Sequence, residues 1–316
     1  MAALRVRLES PHCFTNARLR GTLHVRVSAP MACTEVVVVV TGNESVSWNE
    51  QWTETGQGKS HQVLETIFDS REFFRQKIVL SNNFGGEITP GTYAYPFQYV
   101  LPSGLPSSYD NENDQDVQAA IEYAVTGSFC VNGVVATDVA STVPLTVYTP
   151  ATSVEAPSVA EKVQVVRNFC CFRRGQCDIR VALDKSLCHL GHVPIVQCDI
   201  KNSSPLDMRA MRFELVRVVE VFAKGRIRSL QTVLCDELFS GVPAGKQISH
   251  PQPFQLHGPG LYPSTSGSFL SCSYYIEVDL DIPSCPIVEL RLRLALGAPI
   301  GLVASDSPSV STPSPY

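Results

Sequence analysis

Apolar and polar residues alternate with a period of two along much of this chain. Between residues 21 and 27, Leu23, Val25 and Val27 fall on one face of an extended segment, and the residues between them are polar or charged. The same alternation returns at residues 121–129, 177–183, 193–200 and 274–282. A period of two is typical of strands that bury one face, so the pattern predicts β-strands along the whole sequence.

Helical spacing of apolar residues is scarce. We expect at most a short helical turn at residues 69–74 and another at 115–120, because neither segment is long enough for three turns. Many short strands punctuated by glycine and proline, without helices between them, predict antiparallel β-sandwiches rather than a doubly wound α/β sheet. The predicted fold class is therefore all-β.

The length of 316 residues is sufficient for two domains, each with its own core. Residues 149–159 form a polar stretch, punctuated by proline, between two strand patterns. We place a domain boundary there, which predicts a first domain at residues 1–150 and a second at residues 160–303. Residues 304–316 are rich in serine and proline, and this composition predicts a short disordered tail.

Composition and charge narrow the classes of partner. Hydrophobic residues make up 44% of the chain and charged residues 17%, which is the balance of a folded globular protein. The formal net charge of −5 gives no broad attraction to nucleic acid or anionic lipid, so we expect no nucleic-acid partner and at most a peripheral membrane association. The chain has no apolar run long enough for a membrane helix, and its first residues alternate like a strand rather than a secretion signal. With 11 cysteines, an odd number in a long chain, we expect a cytoplasmic protein with reduced thiols.

Two sequence patterns bear on catalytic or cofactor chemistry: a phosphate-binding loop and a nucleophile elbow. Gly56, Gly58 and Lys59 resemble the end of a phosphate-binding loop, but Thr53 stands where that motif requires its first glycine. A hairpin loop is the better interpretation. No Gly-x-Ser-x-Gly nucleophile elbow is present, so we predict no catalytic residue and no cofactor. A hydrolase with a triad assembled in space stays open as an alternative, because triads are defined by geometry rather than by sequence order.

Cysteine and histidine residues supply the thiolate and imidazole groups that zinc prefers. They form two groups in the second half of the chain: Cys188, His189 and His192, and Cys170, Cys171 and Cys177. Their spacing matches no familiar zinc finger, and buried thiols commonly pack as small apolar groups. The prediction is that no metal site is present.

The most specific motif in the first half is a strand followed by a loop with prolines. It consists of Tyr95, Pro96, Phe97, Gln98, Tyr99, Val100, Leu101 and Pro102, followed by Leu105, Pro106, Ser107, Ser108 and Tyr109. Because Pro102 and Pro106 have no N–H to donate to a ladder, they place a loop directly after the strand. This motif resembles the N-terminal domain of the α-arrestin family.

Three segments of the second half are similar to the C-terminal domain of the same family. They are the segment that ends in Asn202, Ser203 and Ser204, the strand around Tyr274 and Tyr275, and the closing segment that ends at Gly301. The motifs follow one another in the order that the family has. The resemblance therefore extends over residues 4–301.

The resemblance implies two consecutive arrestin-like, immunoglobulin-like antiparallel β-sandwiches. It also implies a non-enzymatic adaptor that binds cytosolic segments of membrane cargo and links them to endocytic or ubiquitin-dependent trafficking, at the plasma membrane or at endosomes. The expected cargo site is a sheet edge or a concave face that receives an extended segment. An alternative is a fixed structural subunit of a retromer-like trafficking coat, with one permanent partner.

The tail supplies a candidate site for a ubiquitin ligase. Many α-arrestins carry Pro-Pro-x-Tyr motifs that bind the WW domains of HECT-type ligases as extended segments. The sequence here ends in Pro313, Ser314, Pro315 and Tyr316, with serine where the second proline of the motif belongs. These four residues are a candidate WW-binding segment, and a disordered Ser/Pro end without a partner is the alternative.

Overall fold

A computed structural model describes residues 2–56, 59–111, 116–150, 158–168, 172–283 and 285–302. These residues form β-strands joined by turns and loops, and no helix occurs among them. In this part of the chain there is accordingly no helix of the length and apolar character needed to cross a membrane.

The first half of the chain forms one β-sandwich. Its strands are β1 (Ala2–Leu8), β2 (His12–Phe14), β3 (Arg18–Val27), β4 (Met31–Cys33), β5 (Glu35–Gly56), β6 (Lys59–Ser81), β7 (Gly86–Ile88), β8 (Gly91–Val100), β9 (Tyr109–Asp110), β10 (Val117–Val131) and β11 (Val134–Tyr148). One sheet has the order β1-β3-β8, and the other has the order β2-β11-β10-β5-β6 with β9 paired to β10. The short strands β4 and β7 pair with each other.

The second half repeats this plan. Its strands are β12 (Val159–Asn168), β13 (Phe172–Leu183), β14 (Leu187–His189), β15 (Ile195–Asn202), β16 (Ala210–Ala223), β17 (Arg226–Ser240), β18 (Gln247–Pro253), β19 (Thr265–Ser266), β20 (Leu270–Asp281) and β21 (Val288–Gly297). The sheet orders are β12-β13-β15-β18 and β14-β21-β20-β16-β17, with β19 paired to β20. The prediction of two consecutive β-sandwiches is confirmed.

The strand pairs are antiparallel with two exceptions. Strand β2 pairs in parallel with the end of β11, and β14 pairs in parallel with the end of β21. Each of these short strands lies at the edge of the larger sheet of its sandwich. A three-residue strand has too few positions for a period of two to be recognised, so the sequence pattern could not predict these pairs.

Alternation along the strands builds the core of each sandwich. In the first sandwich, Leu23, Val25 and Val27 of β3 are buried as predicted, and their polar neighbours face solvent. Strand β16 of the second sandwich follows the same rule with Phe213 and Leu215 buried. Each fully buried apolar side chain contributes about 1.5–3 kcal/mol, so these rows set which face of each strand turns inward.

Both predicted helical turns are wrong. Residues 69–74 lie inside β6, which pairs with β5 along nearly its whole length. Residues 117–120 begin β10, which pairs with β5 and β9. The prediction of a hairpin at Gly56 is confirmed, because β5 and β6 pair up to Gly56 and Lys59. In all three places cross-strand hydrogen bonds determine the local structure. A helical spacing of apolar residues over only a few positions is too weak to compete with them.

Parts of two predictions lie outside the described residues. The predicted domain boundary at residues 149–159 includes residues 151–157, which the structure does not describe, so its position stays a prediction. The predicted tail at residues 304–316, with Pro313, Ser314, Pro315 and Tyr316, also lies outside the described part.

Candidate functional site

Glu44 of β5 joins the two sandwiches. Its side chain is only 1% exposed, and its carboxylate accepts three backbone N–H groups from the turn between β19 and β20. The donors are Ser268 at 2.9 Å, Phe269 at 2.7 Å and Leu270 at 2.9 Å. Hydrogen bonds to an ionised acceptor are stronger than neutral ones, so this carboxylate holds the turn of the second sandwich against the first.

Gly267 makes this close approach possible. A β-carbon at this position would overlap the Glu44 carboxylate. The N–H of Gly267 also donates to the carbonyl of Leu270 at 2.8 Å, which closes the turn that presents the three donors. A larger residue at this position would have to displace either the turn or the carboxylate.

The loop that follows β8 forms a second contact between the sandwiches. The Ser107 carbonyl accepts a hydrogen bond from Thr265 Oγ1 at 3.1 Å. The Tyr109 ring lies edge-on against the Tyr262 ring, with centroids 5.2 Å apart. Within the first sandwich the same loop is fixed by its own hydroxyl group, because Ser107 Oγ accepts the N–H of Thr149 at 2.9 Å.

Buried polar groups of the second sandwich support the segment that carries Tyr262. The Tyr274 hydroxyl donates to the Tyr262 carbonyl at 2.9 Å, and Arg217 Nη1 donates to the Gly260 carbonyl at 3.0 Å. Burial raises the pKa of the Cys272 thiol to about 11, although the Tyr274 hydroxyl and the Arg217 charge oppose the rise. The thiol is therefore a neutral packing group.

The third contact is made by the far part of the β5–β6 hairpin, residues 46–56 and 59–69, which we call the hairpin arm. The start of β17 packs beside it: Arg226 Nη1 lies 2.5 Å from Glu50 Oε2, and Nη2 lies 3.3 Å from Glu65 Oε2. The guanidinium carbon also lies 5.5 Å from the centre of the Trp52 ring. The pKa of Glu50 is lowered, first by a hydrogen bond from Trp48 Nε1 and then by Arg226. These contacts hold the arm against the second sandwich.

Both halves of the chain match arrestin families. Residues 5–147 match the family described as Arrestin (or S-antigen), N-terminal domain, and residues 173–299 match Arrestin (or S-antigen), C-terminal domain. The chain belongs to the arrestin family. The prediction from the sequence motifs is confirmed, and arrestins are in general non-enzymatic adaptors.

Several curated arrestins are similar to this one. It is 25% identical over 305 residues to Arrestin domain-containing protein A of Dictyostelium discoideum, which covers 93% of this chain and 51% of that protein. It is 24% identical over 271 residues to Arrestin domain-containing protein 1 of Mus musculus and 22% identical over 275 residues to that of Homo sapiens, covering 85% of this chain and 58% of each relative. The chain spans little more than half the length of these relatives.

The arrestin motif of the first half has a structural part and a junction part. Tyr95, Pro96, Phe97, Leu101 and Pro102 belong to β8 and its end, where Phe97 and Leu101 enter the core. The other motif residues, Leu105, Pro106, Ser107, Ser108 and Tyr109, form the loop at the junction. Their carbonyls and hydroxyls bond to β10, β11 and the second sandwich, so this loop is the part of the motif that contributes to the candidate site.

The motif around Asn202 fixes a turn inside the second arrestin domain. Asn202 is fully buried, and its Oδ1 accepts the Ser204 hydroxyl at 2.7 Å while its Nδ2 donates to the carbonyls of Leu206 and Val242. Ser203 donates its N–H to the Gln176 carbonyl at 2.9 Å. These residues satisfy buried backbone groups and lie away from the junction contacts, which gives them a structural role.

Two other residues of the predicted motifs also lie away from the junction contacts. The Tyr275 hydroxyl donates to Gln231 Oε1 at 3.1 Å, and Arg291 lies over the ring with 5.0 Å to its centre. Gly301 has a φ of 96°, a left-handed conformation that favours glycine after the last strand.

The cysteine and histidine side chains that resembled metal ligands in the sequence make other contacts where the structure describes them. Cys188 Sγ points to backbone carbonyls of His189 and His192, and His189 Nδ1 lies 3.1 Å from the Ala298 carbonyl. Cys170 and Cys171 lie outside the described part of the chain. The clustered carboxylates are instead Glu214, Glu277 and Asp279, and the first two form ion pairs with Arg212 and Arg291.

The sequence motifs did not identify Glu44 or Arg226. For Glu44 a signal was present: it stands in phase with Val40, Val46 and Trp48, which are all buried, so an acidic residue occupies an inward position of an apolar row. Arg226 and its partners on the hairpin arm had no such signal, because they are half-buried polar residues brought together by the arrangement of the two domains.

Proposed function

We propose that this arrestin is a cytoplasmic, non-enzymatic adaptor that binds cytosolic segments of membrane cargo and links them to endocytic or ubiquitin-dependent trafficking. The observation that carries the proposal is the junction, where Glu44 and the arrestin motif loop join both arrestin domains into one platform. Such a platform presents surfaces of two sandwiches to partners at the same time. The family membership supports the adaptor role, and the cargo and the trafficking step are the proposed part.

The proposed cargo site is the open edge of β17. This strand lies at the end of its sheet, and among the described strands it pairs with β16 alone. Residues 229–234 contain no charge, glycine or proline, and the Val233 side chain is 51% exposed. An uncharged edge of this kind is open to an added strand, whereas β18 carries Pro251 and Pro253, which cannot donate to a ladder.

The usable length of this edge is limited. The segment before β19 crosses β17 beyond Val233: a β-carbon at Gly258 would lie 2.8 Å from the Leu234 carbonyl, and Cys235 Sγ lies 3.8 Å from the Gln255 carbonyl. The site therefore fits a short extended segment beside residues 229–233, paired through backbone hydrogen bonds with side-chain selection by neighbours such as Val233.

The test is co-purification from the native cell with three forms of the chain. Val233→Lys adds a charge to the proposed edge, and Leu238→Lys adds the same charge to an exposed residue of the same strand beyond the crossing segment. We expect membrane proteins to be recovered with the wild type and with Leu238→Lys, and roughly fivefold less with Val233→Lys, because an edge lysine opposes strand addition. Equal recovery with all three forms would remove β17 as the cargo site.

The ligase link needs a further form that ends at Asp306. If a WW-domain ligase is lost on truncation while membrane proteins stay, the segment Pro313, Ser314, Pro315 and Tyr316 is the ligase site. If one stoichiometric partner dominates in every form and no membrane cargo appears, the chain is a coat subunit and the adaptor proposal is wrong.

A further inference from the structure

The exposed face of the sheet β1-β3-β8 carries an unusual density of arginine. Alternation along β1 and β3 turns five arginines outward and leaves each of them exposed: Arg5, Arg7, Arg18, Arg20 and Arg26. We call this surface the basic face. The inward positions of the same strands are apolar, so the arginines follow directly from the strand period.

The register places these arginines in a continuous path over two strands. Arg5 pairs with His24 and Arg7 pairs with Thr22, which puts Arg26 diagonal to Arg5 and Arg20 diagonal to Arg7. Diagonal neighbours on one face lie about 7–8 Å apart, and residues two apart on a strand lie about 7 Å apart. Arg18 continues the path beyond Arg20. Positive charge therefore repeats at nearly equal steps over roughly 26 Å.

The positive charge of the basic face is not balanced by neighbouring acids in the described residues. None of the five arginines has a carboxylate oxygen within 4.0 Å there, whereas Arg212, Arg226 and Arg291 elsewhere are all paired. One acidic residue, Glu9, follows β1 beside Arg20, and His24 lies among the arginines. Like charges placed this close destabilise the sheet, so the face is suited to an external anion.

The outward residues of β8, the third strand of this sheet, indicate which kind of anion fits the basic face. The outward residues of β8 are all uncharged, and none is aromatic: Thr92, Ala94, Pro96, Gln98 and Val100. Most of these side chains are short, so the arginines of the neighbouring strands extend beyond them. Single-stranded nucleic acid would need exposed aromatic rings for its bases, and the tyrosines of β8 lie on its other face.

We propose that the basic face binds the surface of an anionic phospholipid membrane. Cations that repeat at steps of about 7–8 Å match a surface with many anionic headgroups, whereas a single phosphate could reach only two or three of them. The formal net charge of −5 does not describe this face, where five arginines stand with one acidic residue, Glu9, beside them. Binding here is electrostatic and reversible, and it does not depend on the proposed cargo site.

The experiment is sedimentation of the full chain with vesicles. The probe is phosphatidylcholine with about 30% phosphatidylserine, compared with phosphatidylcholine alone. We expect binding only to the anionic vesicles, with a loss of at least tenfold between about 50 and about 200 mM salt. The triple change Arg5→Gln, Arg7→Gln and Arg20→Gln should weaken binding about a hundredfold, since each arginine near such a surface contributes about fivefold.

A second triple variant is the matched control. Arg167→Gln, Arg174→Gln and Arg293→Gln remove the same charge from exposed positions of the second sandwich, and binding should stay within about threefold of the wild type. Equal loss in both variants would mean that only net charge matters, and the basic face would not be the site. Because the changed residues are exposed and form no ion pair with a described residue, both variants should fold, which circular dichroism checks.

Competition separates the membrane from other anions. An acidic peptide or a short single-stranded oligonucleotide that binds the chain more tightly than the anionic vesicles, with the first triple variant defective, would overturn the membrane proposal in favour of that partner. Absence of binding to anionic vesicles at low salt would overturn it as well. Cargo recovery is measured separately, so a failure here leaves the proposed adaptor function untouched.

Discussion

The fold raises the pKa of the Asp279 carboxyl group. It lies on the outer face of the second sandwich beside Glu277 and Glu214, with Glu289 paired to it on the next strand. The pKa of Asp279 is raised to about 6. The largest cause is partial burial, the three neighbouring carboxylates add to it, and the charge of Arg212 opposes the rise. An ordinary aspartate has a pKa of about 3.9, so ionised Asp279 is less stable in the folded chain than in the unfolded chain.

This shift predicts how stability depends on pH. A carboxyl group with a raised pKa binds its proton more tightly in the folded state, so its contribution to the free energy of unfolding falls between about pH 4 and pH 6 and stays low above that. Asp279→Asn removes the ionisation. We expect the variant to equal the wild type near pH 3.5, below the ordinary pKa of aspartate, and to be more stable by about 1 kcal/mol at pH 7, after allowance for solvent screening.

Urea unfolding of both proteins at the two pH values measures this difference. Equal effects of the substitution at both pH values would show that Asp279 acts by packing rather than by charge. The other carboxylates of the cluster are present in both proteins, so the comparison isolates Asp279.

At the scale of single residues, the sequence predicted some roles and not others. Asn202 and Tyr109 stand in recognisable motifs, and both are buried. Asn202 bonds within its own sandwich, whereas Tyr109 contacts Tyr262 of the other one, which no motif predicted. Glu44 stands in no motif, and its partners at residues 268–270 are more than two hundred positions away. Patterns within a strand carry information about which side is buried, but they carry none about which distant backbone will meet a buried carboxylate.

The hairpin of β5 and β6 is one of two elements, with β10, in which local prediction failed. Short helical spacing at residues 69–74 suggested a turn, but pairing with β5 holds the segment as strand. The hairpin arm gains further support from the second sandwich, through Arg226 and the N–H of Lys224, which donates to Asp69 Oδ2 at 3.3 Å. A long two-stranded hairpin is only marginally stable in isolation, so these contacts matter to the arm.

We predict that Arg226→Gln loosens the hairpin arm without unfolding the sandwiches. The substitution removes two exposed ion pairs and the contact with Trp52, each worth at most about 1 kcal/mol. Amide hydrogen exchange should become several times faster at residues 46–53 and 62–69, and exchange in β3 and β20 should not change.

Arg212→Gln is the matched control for this prediction. Arg212 is exposed to a similar extent and also forms ion pairs, with Glu214 and Asp236, but it does not contact the arm. Exchange in the arm should match the wild type in this variant. If Arg226→Gln leaves the arm unchanged as well, the contacts of Arg226 do not hold it in solution.

At the scale of the whole molecule, the strand period was enough to predict the fold class but not the relation between the two domains. Each sandwich follows from rows of alternating residues, which act within a sheet. The junction uses few residues, and most of them are polar: Glu44, Ser107, Thr265 and Arg226. The basic face also appears only at this scale, since its arginines belong to two strands that the register brings together.

We predict that two different substitutions at the Glu44 contact weaken the junction between the domains in the same way. Glu44→Gln removes the ionised acceptor and turns an amide donor toward at least one backbone N–H, and Gly267→Ala places a methyl group where the carboxylate lies. Each should lower the free energy of unfolding by about 1.5–3 kcal/mol and raise the radius of gyration in small-angle X-ray scattering, because the domains separate more easily. Glu122→Gln, an exposed acid on neighbouring β10, should change neither quantity. If Gly267→Ala destabilises the chain while Glu44→Gln does not, the turn needs glycine for its own geometry and the carboxylate is not what joins the domains.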